Sequence, residues 1–211
     1  MITVVTGPWA LPRMEIAQAV ATRLGARPGG GANRGPGGRS GVEVVDGEQL
    51  GFALMEFRTG LPDDFQEDPV WQALFTTLCV HTARHSADGR VLAPMNIHCG
   101  ERLARLRAGL AARGAAVSVI GLRASREYCE ELADTYAFFE RGSADYHRVR
   151  SWQLARLDAY LAFAAAPGTP VDDWVELLPG TASEQVVSSL VRAMTAAWTV
   201  PPSGRSAEGG P

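Results

Sequence analysis

Residues 6–14 read Thr-Gly-Pro-Trp-Ala-Leu-Pro-Arg-Met, between the apolar run Ile2–Thr6 and a helical pattern that begins near Glu15. A strand, a glycine turn and a helix in that order bind phosphate when they carry G-x-x-x-x-G-K-[ST]. Backbone N–H groups then cradle the phosphates, the lysine reaches the outer ones and the hydroxyl holds magnesium. Aligned from Gly7, this chain offers G-P-W-A-L-P-R-M, and only the first glycine survives. Pro8 and Pro12 each lack the backbone donor, Arg13 puts a planar fork where an ammonium is needed, and Met14 gives magnesium no ligand. The helix N-terminus with Arg13 still attracts an anion. The competing reading is a plain strand-to-helix turn with Trp9 and Leu11 packed in the core.

Other candidates sit where apolar runs end. Asp46 and Glu48 follow the second run, and two carboxylates this close divide acid and base roles if burial separates their pKa values. The alternative is that Asp46 caps the following turn and Glu48 is solvated. Asp64 and Gln66 are candidate substrate contacts, with Asp63 and Asp68 read as solvated or capping. Asn96 and His98 follow the third run, His98 as an acid, base or hydrogen-bond donor, and Arg123 follows the fourth. His81 and His85 have the i, i+4 spacing of a metal pair, but no third ligand is evident and no metal is expected. Arg141, Arg148, Arg150 and Arg156 form a basic cluster suited to an anionic ligand, or to pairing with Asp145 and Asp158. A dense aromatic set, Tyr136, Phe138, Phe139, Tyr146 and Trp152, surrounds that cluster.

These residues need elements to hold them. Apolar, β-branched runs occur at 2–6, 42–46, 91–95, 117–122 and 174–178, separated by helical patterns. Asp68-Pro69 starts a helix on which Val70, Trp71, Leu74, Phe75 and Leu78 are expected to share one face. "ERLARLRAGLAARG" is amphipathic and stops at Gly114. Ser125 caps a helix over 126–142, and Thr181 with Glu184 reads as a capping box for one over 182–198. Strands alternating with helices predict an α/β fold, a three-layer parallel sheet with ligands at the carboxyl ends of the strands. One domain is expected over 1–200, with a flexible glycine-rich insertion at 25–41 and a disordered tail at 201–211.

Composition excludes several functions. The 211-residue chain has a net charge of −3, which argues against nucleic-acid or membrane partners held by bulk electrostatics. All 20 basic side chains are arginine, so no lysine serves as phosphate clamp, Schiff base or general base. Cys79, Cys99 and Cys129 fit reduced thiols. With no leader-like start and no apolar run near the roughly 18 residues of a membrane span, a cytoplasmic protein is expected.

"DGEQLGFAL" (46–54), "DFQEDPVWQAL" (64–74), "VLAPMNI" (91–97) and "ASRE" (124–127) occur in this order. Together they resemble the tunicamycin-resistance ATP-binding proteins, a kinase-like branch of the P-loop NTPases. That family looks like D-x-E-x-x-G-F-x-L, D-F-Q-x-x-P-x-W, V-P-M-T and A-S-K-E at the corresponding places. The resemblance implies a P-loop kinase-like fold with an arginine-bearing helical lid and a small-molecule substrate or antibiotic. It adds Trp71, within the second motif, to the candidate contacts. With the loop residues as they stand, the first expectation is an ATP-independent tailoring enzyme acting on a small natural-product-like metabolite. Cyclisation, dehydration and hydrolysis are the reaction types that fit. A non-catalytic binding or resistance protein and an atypical small-molecule kinase are the alternatives. No cofactor is expected in the first case, ATP with magnesium in the last, and a homodimer is left open.

Overall fold

The computed structural model describes residues 1–9, 11–25, 41–58, 64–135, 139–181 and 183–199. The expected insertion, apart from its ends, and the expected tail lie outside them, as do Asp63, Tyr136 and Phe138. Five strands form one parallel sheet: β1 (Ile2–Thr6), β2 (Val42–Val44), β3 (Arg90–Met95), β4 (Val117–Ala124) and β5 (Asp173–Leu177), in the order β2-β3-β1-β4-β5. Buried on both faces, β1, β3 and β4 read as nearly continuous apolar runs rather than alternating ones. The register aligns Thr6 with Met95 on one side and Gly121 on the other, so the carboxyl ends of the central strands reach one edge together.

Helices cover both faces. On one side α1 (Arg13–Gly25) and α7 (Ser183–Thr199) bury Ile16, Val20, Val187, Leu190 and Met194. The other side carries α3 (Pro69–His85), α4 (Gly100–Ala111) and α6 (Ala144–Ala165), which bury Trp71, Phe75, Leu103, Leu110 and Tyr160. The remaining helices, α2 (Gly47–Phe57) and α5 (Arg126–Thr135), lead away from the carboxyl ends of β2 and β4. Among the described residues no helix is long and apolar enough to cross a membrane.

Local chemistry explains the boundaries. Asp68 accepts from the N–H groups of Val70 (2.8 Å) and Trp71 (3.4 Å), with Pro69 in the first helical turn. Ser125 accepts from Tyr128 N at 3.2 Å. Thr181 exchanges hydrogen bonds with both backbone groups of Leu178, while Glu184 reaches across to Arg23 on α1.

Three expectations need correction. The second strand ends at Val44, because the chain turns at Asp46 to begin α2, a helix that the spacing does not announce. The helix capped by Ser125 ends at Thr135, and a separate 22-residue helix, α6, starts at the Ser143 cap. On α3 the buried line is Trp71, Phe75 and Cys79, whereas Val70, Leu74 and Leu78 are 45%, 43% and 41% exposed. Adjacent helical residues lie about 100° apart, so both rows cannot face one sheet.

Trp174 on β5 lies against Gly121 so closely that a Cβ at Gly121 would stand 2.3 Å from its ring. Gly121→Ala is expected to lose about 1–3 kcal/mol of stability. In urea unfolding, the Gly121→Ala/Trp174→Ala double variant should lose less than the sum of the two single losses.

Candidate functional site

The carboxyl ends of β1 and β3, the turn before α3, and the starts of α1, α2 and α4 converge beneath α6. Tyr160 on α6 pins this floor: its hydroxyl lies 3.0 Å from Thr6 O and 2.8 Å from Leu122 O, joining the ends of β1 and β4. Thr6 Oγ1 in turn donates to Ile97 O at 2.8 Å and accepts from Ile97 N at 3.0 Å, fixing the chain just before His98.

The loop after β1 spends much of its polarity on itself. Leu11 N donates to Pro8 O at 3.3 Å and Arg13 N to Leu11 O at 2.8 Å, while Pro8 and Pro12 have no N–H to offer. Leu11 is buried, and its side chain lies with Leu122 against Gly7, where a Cβ would come within 3.2 Å and 3.1 Å of them. Arg13 folds inward, forming an ion pair with Glu48 and lying 4.8 Å from the Trp9 ring centre. Burial lowers the Arg13 pKa and raises that of Glu48, and each partner's charge opposes the shift of the other. Asp46 is the N-cap of α2, its Oδ1 accepting from Glu48 N (2.8 Å) and Gln49 N (3.2 Å). Glu48 is thus neither solvated nor a free partner to Asp46; its charge is committed to Arg13.

A second charged cluster centres on Asp64. Its Oδ1 accepts from Gln66 N at 3.1 Å, while Oδ2 takes Arg102 at 2.6 Å and Arg156 at 3.1 Å. Arg102 also pairs with Glu67 at 2.5 Å. The Arg156 guanidinium lies 4.3 Å from the Trp152 ring centre, and Trp152 meets Trp9 edge-on at 4.9 Å. Arg13, Trp9, Trp152 and Arg156 therefore form a continuous ladder from the loop to α6. His98 stands beside this cluster. Burial pushes its pKa down from 6.5, Arg102 adds to that and Asp64 opposes it.

Five buried polar atoms in this region meet no hydrogen bond of standard geometry: Trp9 Nε1, Arg13 Nη1, Gln66 Oε1, His98 Nδ1 and Arg156 Nε. Buried polar atoms ordinarily find partners, so these five make the region the candidate site.

The structure thus brings together Gly7, Trp9, Arg13, Glu48, Asp64, Gln66 and His98, with Asn96 buried at the end of β3. The other expected contacts lie elsewhere. Trp71 is in the core at 2% exposure, donating to Gly47 O at 3.0 Å and stacking on Phe75 at 4.8 Å. Arg141 is exposed and bonds to Asp134 O; Arg148 is exposed and pairs with Asp145. Arg150 pairs with Asp134 at 3.2 Å and lines a small cavity beside Trp9. Arg123 pairs with Glu176 at 3.3 Å on the wall of a separate open cleft of about 390 Å³ at the ends of β4 and β5. His81 and His85 stack on the exposed face of α3, and no metal-holding cluster occurs among the described residues.

Two arginines gain importance over their sequence reading. Arg156 is the member of the basic cluster that enters the crevice. Arg102 has a signal in hindsight, since it stands one turn before buried Leu106 on an amphipathic helix. An arginine on the apolar face of such a helix needs a buried carboxylate, and Asp64 supplies it.

Asp64 is 8% exposed and its arginine partners 9% and 16%. Asp64→Ala, which leaves Arg156 without its carboxylate and Arg102 with only the exposed Glu67, should therefore cost about 3–5 kcal/mol in urea unfolding. His98 gives a pH signature. Its folded-state pKa lies below the unfolded value, so the unfolded chain takes up the proton first. Stability is then unaffected by His98 above about pH 6.5 and declines as pH falls below it. The unfolding midpoint of His98→Gln should fall less than that of the wild type between about pH 7.5 and 5.5.

No family model matches the sequence, and no curated protein sequence is significantly similar to it. Solved structures are similar in fold. The Deinococcus radiodurans tunicamycin resistance protein superposes with a TM-score of 0.61 at 22% identity, over 95% of this chain and 98% of that one. A gluconokinase from Sinorhizobium meliloti gives 0.59 at 13% identity over 92% of this chain and 91% of its own. Mycobacterium tuberculosis APS kinase, solved with AMPPNP and APS, gives 0.59 at 16% identity over 92% and 96%. The parallel five-stranded sheet, its flanking helices and these superpositions establish that the chain has the fold of the P-loop kinases.

Proposed function

We propose that this chain is an ATP-independent tailoring enzyme that binds a small, natural-product-like metabolite in the crevice between the β1 loop and α6. The observation that carries this reading is the Arg13–Glu48 pair. Arg13 occupies the place of the phosphate-binding lysine, yet its charge is matched by a partly buried carboxylate of the same chain and its face is covered by Trp9. A triphosphate would have to displace Glu48 from Arg13 and leave that partly buried carboxylate without its partner, which is unfavourable. Leu11 against Gly7 and the inward bonds of the loop support the same conclusion.

His98 carries the acid–base role in this reading. Its lowered pKa keeps the ring neutral at neutral pH and able to accept a proton, with Nδ1 uncommitted. Arg156 and Trp9 offer N–H donors that can stabilise an oxygen gaining charge. One observation favours the runner-up, a non-catalytic binding or resistance-type protein. Asp46 and Glu48, the carboxylates best placed in sequence for catalysis, are both engaged, one in a cap and one in an ion pair.

Calorimetry with MgATP distinguishes these readings from an atypical kinase, and no heat of binding is expected at millimolar nucleotide. Glu48→Gln, which releases Arg13, is expected to gain measurable pyrophosphate binding. Saturable MgATP binding by the wild type would remove the ATP-independent reading.

A further inference from the structure

We infer that the outward face of α3 is an interface between two copies of this chain, paired antiparallel across a two-fold axis near position 76. The surface involved lies outside the crevice, and the pairing does not depend on what the crevice binds.

The first argument is the composition of α3. From Pro69 to Ala83 the helix carries no aspartate, glutamate or arginine. Its inner row, Trp71, Phe75 and Cys79, is buried in the core. Its outer row, Val70, Leu74 and Leu78, is equally apolar and stands in solvent, with exposed Ala73 and Thr77 between. Helices that face water elsewhere in the fold are charged on that side: Glu15 and Arg23 on α1, Glu101 and Arg105 on α4, Glu184 and Arg192 on α7. A helix that is apolar all round is ordinarily covered all round. Single exposed leucines need no explanation, but a continuous row marks a contact surface.

The second argument, charge and symmetry, names the occupant. Glu67 stands just before the row, and Arg84 and His85 end it. Position 76 is midway between Glu67 and His85, and also midway between Leu74 and Leu78. A second copy running the opposite way therefore sets Leu74 beside Leu78, Val70 beside Thr82, and Glu67 beside Arg84 and His85, at both ends at once. An isologous contact demands this self-complementarity, whereas a parallel partner would set like charges together. Glu67 pairs with Arg102 through Oε1 and is still 55% exposed. Arg84 meets no carboxylate among the described residues; its side chain donates to Arg113 O at 3.2 Å.

The third argument is area. One pair of 17-residue helices falls short of the roughly 800 Å² per partner that a stable interface buries. The adjoining helix extends the surface. Arg58 at the end of α2 pairs with Asp68 at the start of α3, and Phe52, Met55 and Phe57 on α2 are 52%, 55% and 86% exposed. Phe52 meets Phe65 edge-on at 6.1 Å and Phe65 lies 5.7 Å from Trp71, so apolar contact runs unbroken from α2 to α3.

Sedimentation equilibrium of the full chain should show monomers and dimers exchanging at micromolar concentration. Leu74→Glu, and the milder Leu78→Gln, should each weaken association at least tenfold. Both side chains are exposed in the single chain, so the variants should melt as the wild type does when all are dilute. Only the wild-type melting temperature should rise with concentration. Oxidising an equimolar mixture of Leu74→Cys and Leu78→Cys chains should give the mixed disulfide dimer in excess of either self-linked dimer. A wild type that stays monomeric, a dimer that survives both substitutions, or an excess of self-linked product overturns the inference. Monomers that instead bind phosphatidylcholine vesicles, and lose that binding in Leu74→Glu, overturn it in favour of a lipid surface. None of these readouts involves MgATP, so this inference and the ATP-independent reading fail separately.

Discussion

Asp64 holds two arginines with one oxygen and caps its own turn with the other, and this arrangement determines which segments meet above the sheet. Arg102 comes from α4, Arg156 from α6, and Asp64 from the turn before α3. A buried guanidinium is tolerable only with a partner in place, so each arginine constrains the helix that carries it. The result is an α6 tied to the crevice from below by Tyr160 and from the side by Asp64. Its tryptophan then closes on Trp9.

The same economy governs the loop after β1. In the P-loop kinase fold, phosphate chemistry depends on donors and cations that the protein leaves unsatisfied for a ligand. Here the two prolines remove donors, two of the remaining N–H groups bond inside the loop, and the cation has an internal counter-charge. The atoms left over lie to one side, around Trp9, Gln66, His98 and Arg156. Protonating His98 would place a third positive charge beside Arg102 and Arg156.

Much of the framework was legible in the residues. Five apolar runs became five strands within a few residues, since strands buried on both faces leave a plain signal. The Asp68-Pro69 start and the Ser125 cap were readable because capping is a local interaction. The helix α2 was not, because Gly47 and Gly51 are poor helix formers. They are present because a Cβ at Gly51 would stand 2.4 Å from the Phe65 ring. The exposed row on α3 was misread since an apolar residue on a surface looks the same in sequence as one in a core. The carboxylates after the second strand were equally ambiguous, and geometry gave one to a cap and the other to Arg13.

The sequence alone determined what the loop after β1 lacks: a proline has no N–H, a methionine holds no magnesium, and a chain without lysine has none to contribute from elsewhere. It also determined the alternation of strand and helix, because burial periodicity is written residue by residue. Only the tertiary structure decided which arginine enters the crevice, which carboxylate meets it and which buried polar atoms stay unpaired among the described residues. Arg13 and Glu48 are 35 positions apart, and Asp64 and Arg156 are 92 apart. Pairing at such separations depends on where helices land on the sheet, and no local pattern along the chain records it.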